Sequence, residues 1–342
     1  MAAFVSFLYE QIFGRAKPTS HRLDGRVVIV TGANTGLGLH TAIHLAKLNP
    51  KTLIMAVRNL EKGKQAKQTL LDSEDVNLDA NQVQVWQLDL ASLESVNEFA
   101  KRATSELDRL DLLLENAGVM RLEYEKTTDG FEQTLQVNGI ATGLLGVLLL
   151  PMLVKTSKMA SPSPASSSYK PHLTVVGSEV HAWSPWKGNA DGSIVQHLNP
   201  EEQFNKEGGM ERYQISKILS VFIAHKLAEL ARGSNVVVNV VNPGLVLSEF
   251  RREMSGVLPV LMDKLLARTT PDGARYILWA CIEDTSDEPG AYVTCCAVKP
   301  PSPFVRSSEG KRAEDKVWEE MKGVWLDRVP QAKKSLEELS RA

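Results

Sequence analysis

The sequence has little cysteine and no marked excess of charge of either sign, and both absences exclude classes of protein. Its 342 residues include three cysteines, two of them adjacent at Cys295 and Cys296. Three cysteines do not make a disulfide framework, so we expect a reducing compartment, the cytoplasm. The adjacent pair is expected to fill a late buried strand. A formal net charge of −2 gives no reason to expect nucleic acid as a partner.

Long apolar runs and groups of metal ligands are also missing from the sequence. No apolar run approaches the roughly 20 residues that a transmembrane helix needs. His40 and His44 have the spacing of a zinc-binding helix, but H-T-A-I-H lacks the glutamate of H-E-x-x-H. We therefore expect neither a membrane-spanning segment nor a bound metal.

A strand, a glycine turn and a helix are predicted by residues Val27 to Gly38, which read V-V-I-V-T-G-A-N-T-G-L-G. The apolar residues at its start are typical of a strand buried on both faces. Gly32, Gly36 and Gly38 then lead into helical periodicity. Unpaired helix amides, the positive end of the helix dipole and missing Cβ atoms together favour a pyrophosphate. The alternative is a plain connection.

Polar residues follow the next predicted strands. Strand 53–57 ends at Arg58, and an arginine there favours a ribose 2′-phosphate, hence NADP(H) over NAD(H). The alternative is a solvated arginine at the start of a loop. Strand 83–88 ends at Asp89 and Leu90, where an acidic side chain can reach the adenine amino group.

The alternation of strands and helices predicts a single-domain, doubly wound (Rossmann-type) α/β fold. We expect a parallel seven-stranded sheet flanked by helices. The predicted segments are an amphipathic N-terminal extension at 1–23, a dinucleotide-binding domain at 24–298 with inserts at 155–171 and 183–212, and a C-terminal helical extension at 299–342.

The N-terminal extension has two interpretations. Its apolar residues are interrupted by Glu10 and follow no basic region, which argues against a signal peptide. Residues 1–20 either pack on their own domain, which we favour, or make peripheral contact with a membrane surface.

Tyr213 and Lys217 stand four residues apart at the start of a predicted helix, so their side chains project from one face about 6 Å apart. A desolvated ammonium favours the phenolate of a nearby tyrosine, and the pair thus suits proton transfer near neutral pH. The pair follows a predicted strand that ends at Ser178. Asn138 lies in an otherwise apolar helix, either as a core hydrogen-bonding node or as part of a site.

These motifs, in this order, resemble the short-chain dehydrogenase/reductase family over residues 24–298. The finer match in T-G-A-N-T-G-L-G, A-V-R-N-L-E-K-G and Q-V-N resembles its retinol-dehydrogenase-like branch. The serine/proline-rich insert contains Ser157 to Ser168, which we expect to form a surface loop with nothing to bury. This insert and the N-terminal segment resemble fungal members associated with secondary-metabolite pathways. The matching elements are the turn Thr31 to Gly38, N-A-G at Asn116 to Gly118, Asn138, Ser178, Tyr213 with Lys217, and Pro243-Gly244.

The resemblance implies hydride transfer between NADP(H) and a carbonyl or alcohol carbon. It implies that Tyr213 protonates the developing alkoxide while Ser178 holds the substrate oxygen. Lys217 would favour the tyrosine phenolate and bind the nicotinamide ribose. Asn138 would hold a water that links Lys217 to solvent, and Ser248, where the family usually has threonine, would hold the carboxamide. The expected cofactor-binding residues are Gly32, Asn34, Thr35, Gly36, Leu37, Gly38, Arg58, Asp89, Leu90, Asn116, Ala117, Gly118, Tyr213, Lys217, Pro243, Gly244, Val246 and Ser248.

Three features depart from the family pattern. Glu115 precedes N-A-G, Gly177 precedes Ser178, and the separation of Ser178 from Tyr213, 213 − 178 = 35, is long. We expect insert 183–212 to loop out and form one wall of an apolar substrate pocket with residues 249–268. The side chains expected there are Trp183, Trp186, Phe250, Leu258 and Leu261.

The sequence thus predicts an NADP(H)-dependent oxidoreductase acting on a ketone, aldehyde or alcohol of a lipophilic small molecule. One alternative is a membrane-associated dehydrogenase of retinoid or steroid type that uses the N-terminal helix. The other is a non-catalytic NADP-binding sensor or scaffold on the same fold, from which loss of Tyr213 or Lys217 would be expected. A homo-oligomer is compatible with all three.

Overall fold

The computed structural model describes residues 2–19, 21–188, 192–247 and 266–341. Within these ranges eight strands form one sheet in the order β3-β2-β1-β4-β5-β6-β7-β8. The first seven are parallel, and β8 runs antiparallel to β7. The predicted doubly wound α/β fold is confirmed, with an eighth strand added. The strands are β1 Val27–Thr31, β2 Thr52–Val57, β3 Val83–Gln87, β4 Leu112–Glu115, β5 His172–Val176, β6 Val237–Asn242, β7 Ala291–Thr294 and β8 Ala297–Val298.

Helices cover both faces of this sheet. They are α1 Ala2–Phe13, α2 Gly36–Ala46, α3 Leu60–Leu71, α4 Leu93–Glu106, α5 Gln133–Leu135, a π-helix at Gln136–Ala141, α6 Thr142–Ser157, α7 Ile194–Leu198, α8 Glu201–Glu207, α9 Gly209–Leu230, α10 Thr270–Ile282, α11 Ser308–Arg328 and α12 Pro330–Leu339. Side chains of α2, α3 and α10 form the core on one face. Those of α4, α6, α9 and α11 form the core on the other.

Strand β1 shows why the sequence runs apolar without alternation. Val28 and Val30 point into the first core, and Val27 and Ile29 point into the second. A strand in the middle of a parallel sheet is covered on both faces, so every position favours a branched apolar side chain.

The adjacent cysteines lie in a turn, which corrects the prediction that they fill a strand. Cys295 and Cys296 have φ values of 50° and 54° and join β7 to β8 as a two-residue hairpin loop. Consecutive positive φ values match the twist of a tight hairpin. Such turns are usually predicted from an Asn-Gly pair. Two cysteines are not typical of them, so the sequence did not indicate this turn.

One helix has the length and composition of a transmembrane helix, contrary to our expectation from the sequence. The helical segment Gln133–Ser157 is long and apolar enough to cross a membrane, but 94% of its apolar window is buried inside the domain. It packs beneath the sheet between α4 and α12. Its apolar character is explained by burial in protein.

The two inserts are anchored to the domain. The serine/proline-rich insert buries Ser166 and Tyr169, and a guanidinium nitrogen of Arg26 donates to the Ser166 carbonyl oxygen. We expected the loop Ser157 to Ser168 to have nothing to bury, which is wrong at Ser166. In the second insert, the Glu320 carboxylate of α11 accepts hydrogen bonds from the backbone N–H groups of Ile194 (3.0 Å) and Val195 (2.8 Å) at the start of α7.

Candidate active site

The carboxyl ends of the central strands open onto a cavity of about 960 Å³. In doubly wound sheets ligands bind at this edge, where the strand order reverses, here between β1 and β4. β2 and β5 are three strand spacings apart, roughly 14 Å, so a ligand that reaches from one to the other must be extended. The predicted residues that line this cavity are Gly32, Asn34, Thr35, Gly36, Leu37, Gly38, Arg58, Asp89, Leu90, Asn116, Ala117, Gly118, Ser178, Tyr213, Lys217, Pro243, Gly244 and Val246.

The glycine turn forms an open cradle at the start of α2. Gly36 has φ +55°, and a Cβ built on it would meet no atom within 4 Å. A Cβ on Gly38 would lie 2.2 Å from the carbonyl oxygen of Gly32, so no other residue fits there. The N-cap residue Thr35 makes no side-chain cap hydrogen bond. First-turn amides of α2 are thus open to an anion, and the turn fits a pyrophosphate.

The N-A-G segment after β4 braces this turn. The Thr31 hydroxyl oxygen accepts hydrogen bonds from the backbone N–H groups of Asn116 and Ala117, both at 3.0 Å. In return, the Asn116 side chain donates to the Thr31 carbonyl oxygen at 2.9 Å. These bonds hold the carboxyl ends of β1 and β4 together where the cavity begins.

Two cations lie at the β2 end of the cavity. Arg58 directly follows β2, and Lys62 lies in the first turn of α3; both are exposed and line the cavity. Their positive charge suits a phosphate monoester. We did not predict Lys62 from the sequence. Its position four residues after Arg58, at the start of the next helix, is a signal from which it could have been predicted.

Ser178 stands at the end of β5 and caps a short 3₁₀-helix, Glu179–Ala182. Its hydroxyl oxygen accepts a long hydrogen bond (3.4 Å) from the backbone N–H of Val180, which leaves the O–H able to donate to a ligand. His181 holds the backbone of Ser178: its Nδ1 lies 2.8 Å from the Ser178 carbonyl oxygen. The other ring nitrogen accepts from the backbone N–H of Ser302 at 3.0 Å. Burial lowers the pKa of His181 to about 4, so Nδ1–H of the neutral ring is the donor to Ser178.

Tyr213 and Lys217 lie one turn apart on α9, and both face the cavity that Ser178 lines. The Lys217 ammonium nitrogen lies 5.6 Å from the centre of the Tyr213 ring and donates to the Val176 carbonyl oxygen at 2.8 Å. Burial lowers the pKa of Lys217 to about 8. The structure thus brings the predicted hydroxyl, phenol and ammonium to one cavity.

Asn138 lies in the π-helix behind the cavity and does not line it. Its amide oxygen accepts from the Val119 backbone N–H at 2.8 Å. Its Nδ2 donates to the Val119 carbonyl oxygen (2.8 Å) and to the Ser216 hydroxyl (2.9 Å). The side chain therefore ties the segment after N-A-G to α9. The role of Asn138 in holding a water stays a prediction.

Comparisons with known proteins decide the family. The family model for short chain dehydrogenase matches residues 26–160. The chain is 35% identical over 322 residues to a short chain dehydrogenase/reductase of Cryptosporiopsis sp. (strain 8999), covering 93% of this chain and 95% of that protein. It is 39% identical to a short chain dehydrogenase of Alternaria solani, covering 86% of this chain and 98% of that protein. The chain belongs to the short-chain dehydrogenase/reductase family.

The fold of this short-chain dehydrogenase/reductase is also found in solved structures. A short chain dehydrogenase from Escherichia coli CFT073, crystallised with NADPH, superposes with a TM-score of 0.57 at 24% identity. The match covers 81% of this chain and 99% of that one. The expected family and the expected resemblance to fungal members are confirmed. The resemblance to the retinol-dehydrogenase-like branch stays a prediction.

The insert 183–212 contributes less to the cavity of this short-chain dehydrogenase/reductase than we expected. Trp183 and Met210 line the cavity. Trp186 does not: it is buried in the core and packs edge-on against Phe304 at 5.7 Å between ring centres. The insert turns toward the C-terminal helices because its short helix α7 docks on α11. The expected residues Ser248, Phe250, Leu258 and Leu261 lie outside the described residues.

Two acidic side chains near the site have unusual surroundings. Glu179, which lines the cavity, accepts hydrogen bonds from Asn242 (3.0 Å) and the Tyr292 hydroxyl (3.1 Å). Its burial raises the pKa of its carboxyl group. Glu115 is buried at the end of β4, and neither of its oxygens has a hydrogen-bond partner among the described residues. Burial raises the pKa of Glu115 well above its ordinary value, because it disfavours the charged form of the carboxyl group.

Proposed function

We propose that this short-chain dehydrogenase/reductase reduces a ketone or aldehyde of a lipophilic small molecule with NADPH, in a fungal secondary-metabolite pathway. One observation carries the proposal. A single cavity joins the glycine cradle of α2 to Ser178, Tyr213 and Lys217. A nucleotide held at one end thereby has its reactive end beside a proton donor.

The choice of NADPH rests on charge. Arg58 and Lys62 offer two positive groups where a 2′-phosphate would lie. A carboxylate in the position of Arg58 would instead repel that phosphate. The glycine cradle accepts the pyrophosphate, and Asp89 and Leu90 line the cavity beside them. The E. coli structure with NADPH has the same fold.

The chemistry of the proposed reaction divides among three side chains. When bound, NADPH supplies the hydride that reduces the carbonyl carbon. The Ser178 hydroxyl donates a hydrogen bond to the carbonyl oxygen and fixes its position. Tyr213 gives its phenolic proton to the same oxygen as negative charge develops there. The Lys217 ammonium stabilises the phenolate that remains. In the oxidative direction this phenolate takes the proton from the hydroxyl group of the alcohol.

A lipophilic substrate is supported by the cavity wall near Ser178. Met120, Val180, Trp183, Met210 and Leu245 all line it. Excluding water between these side chains and an apolar ligand is favourable. The polar side chains in the same lining, among them Glu179, are available to orient the ligand.

Peripheral membrane contact is a second proposal, because α1 has an apolar outer side. Tyr9, Ile12 and Phe13 are 66%, 49% and 62% exposed. The three cysteines are free of disulfides, which supports a cytoplasmic location in either case.

The proposed reaction is tested by Tyr213→Phe. We expect turnover of a lipophilic ketone with NADPH to fall at least about 100-fold, because the proton donor is removed. NADPH affinity, measured by fluorescence titration, should stay near the wild-type value. Tyr124→Phe is the matched control, since its hydroxyl binds the Asn199 carbonyl oxygen away from the cavity. Retention of more than about a tenth of the activity in Tyr213→Phe would exclude Tyr213 as the proton donor.

A further inference from the structure

The N-terminal helix α1 is fastened to the loop that follows β6. Gln11 is 6% exposed, and its Nε2 donates to the carbonyl oxygens of Leu245 (2.8 Å) and Leu266 (2.7 Å). Its amide oxygen accepts from the Leu245 backbone N–H at 3.1 Å. Leu245 lines the cavity directly after Pro243-Gly244. The Gln11 side chain of α1 therefore binds backbone atoms of a segment that lines the cavity.

Glu10 adds a second set of ties. Its carboxylate accepts hydrogen bonds from the Thr294 hydroxyl (2.9 Å) at the end of β7 and from the Lys299 ammonium just after β8. The guanidinium group of Arg268 donates to the Glu10 carbonyl oxygen at 2.6 Å. Polar contacts with partly buried partners are directional, so they fix the rotation of α1 about its axis.

That rotation places Phe7 in the cavity. Phe7 lies one helical turn before Gln11, hence on the same face, and is 5% exposed. Its ring meets the Trp183 ring edge to face, with centres 5.3 Å apart and an interplanar angle of 89°. Both rings line the cavity together with Ser178 and Tyr213.

We propose that α1 forms a wall of the substrate end of the cavity, and that Phe7 with Trp183 selects aromatic carbonyl compounds over aliphatic ones. The proposal rests on the proposed function and names its substrate class. Aromatic rings pack on one another in preferred edge-to-face or offset geometries that an alkyl chain cannot adopt. Met120 and Met210, in the same lining, add thioether groups that favour contact with rings.

The test compares two ketones of similar carbon count, 2-acetylnaphthalene and 2-dodecanone. For Phe7→Leu, which keeps apolar bulk and removes the ring, we expect the ratio of kcat/KM for the aromatic over the aliphatic ketone to fall about ten-fold. Trp183→Leu should lower the same ratio. Phe13→Leu is the matched control, because Phe13 lies on α1 but is 62% exposed and outside the cavity lining.

A binding measurement separates this proposal from the proposed function. Calorimetric titration of the NADP⁺-saturated protein with 2-acetylnaphthalene should give binding that weakens about ten-fold in Phe7→Leu but not in Phe13→Leu. If the wild type binds this ketone in that manner but reduces neither ketone, the wall assignment stands and the proposed reaction fails. An unchanged selectivity ratio and unchanged binding in folded Phe7→Leu and Trp183→Leu would overturn the assignment.

Discussion

Arg58 and Lys62 place two exposed cations beside one part of the cavity. If they bind a 2′-phosphate, Arg58→Asp should weaken NADPH binding about 10- to 100-fold and NADH binding far less, since a charged hydrogen bond is replaced by repulsion. Fluorescence titration with both nucleotides measures this. Lys64→Asp makes the same sign of charge change on α3 outside the cavity lining, and should alter neither affinity. Equal losses for the two nucleotides in Arg58→Asp would refute the assignment.

The buried ammonium group of Lys217 lowers the free energy of unfolding of the protein. The difference between its ordinary pKa of 10.5 and about 8 in the folded protein corresponds to about 3 kcal/mol. Between these pH values the unfolded chain binds more protons than the folded one, so stability rises with pH. Lys217→Met removes the buried charge but also a hydrogen bond worth about 1 kcal/mol.

We therefore expect Lys217→Met to be more stable than the wild type by about 1–2 kcal/mol at pH 7. The difference should shrink, and then reverse, as pH rises from about 8 to above 10. Urea unfolding at several pH values gives the comparison. A difference that is independent of pH would contradict the burial argument.

The π-helix at Gln136–Ala141 is the element that the sequence did not predict. The apolar pattern predicts one uninterrupted helix over 130–153, and the extra residue in the turn leaves no mark on it. A side chain of α11 binds a backbone carbonyl group of the π-helix: the buried indole N–H of Trp325 donates to the Ile140 carbonyl oxygen at 2.9 Å. Gly143 makes room for the ring, since a Cβ there would lie 2.8 Å from it.

Trp325→Phe should therefore destabilise the protein by about 1–3 kcal/mol, because a buried carbonyl oxygen loses its partner and the ring leaves a gap. Thermal and urea unfolding measure the loss. Leu326→Ala, at the next and 41% exposed position, should change stability by less than about 0.5 kcal/mol. If both variants are equally stable, α11 does not support the π-helix in this way.

The described residues form one sheet with a core on each face and helical extensions packed on its outside. α1 carries buried Phe7 and Gln11 toward the domain and leaves Tyr9, Ile12 and Phe13 exposed. If this outer side contacts a membrane, the protein should sediment with phospholipid vesicles. A variant with serine at these three positions should lose most of that binding, because burying three such side chains is worth several kcal/mol, roughly 1.5–3 for each.

The matched control for the membrane experiment replaces three exposed apolar side chains elsewhere, Leu60, Leu122 and Leu326, by serine. Loss of vesicle binding in that variant as well would assign the effect to general hydrophobicity. Absence of vesicle binding by the wild type would remove the membrane proposal and leave the function of the cavity untouched.

The sequence by itself determined the order of strands and helices along the chain, the glycine turn and the residues at the strand ends. Their signals are local: an apolar run such as Val27–Val30 followed at once by glycine has few ways to fold. Tyr213 with Lys217 is local too, because one helical turn sets their spacing. That Ser178 joins them followed from the parallel sheet, whose strands all end at one edge.

The tertiary structure alone decided which distant segments close the cavity. Insert 183–212 contains Trp183 and Trp186, yet only the first reaches the cavity, since the second is drawn into the core beside Phe304. Phe7 enters from the other end of the chain because Gln11 binds backbone atoms at Leu245 and Leu266. Every non-proline residue offers the same backbone N–H and C=O groups. The sequence therefore cannot show which distant backbone groups a side chain such as that of Gln11 will bind.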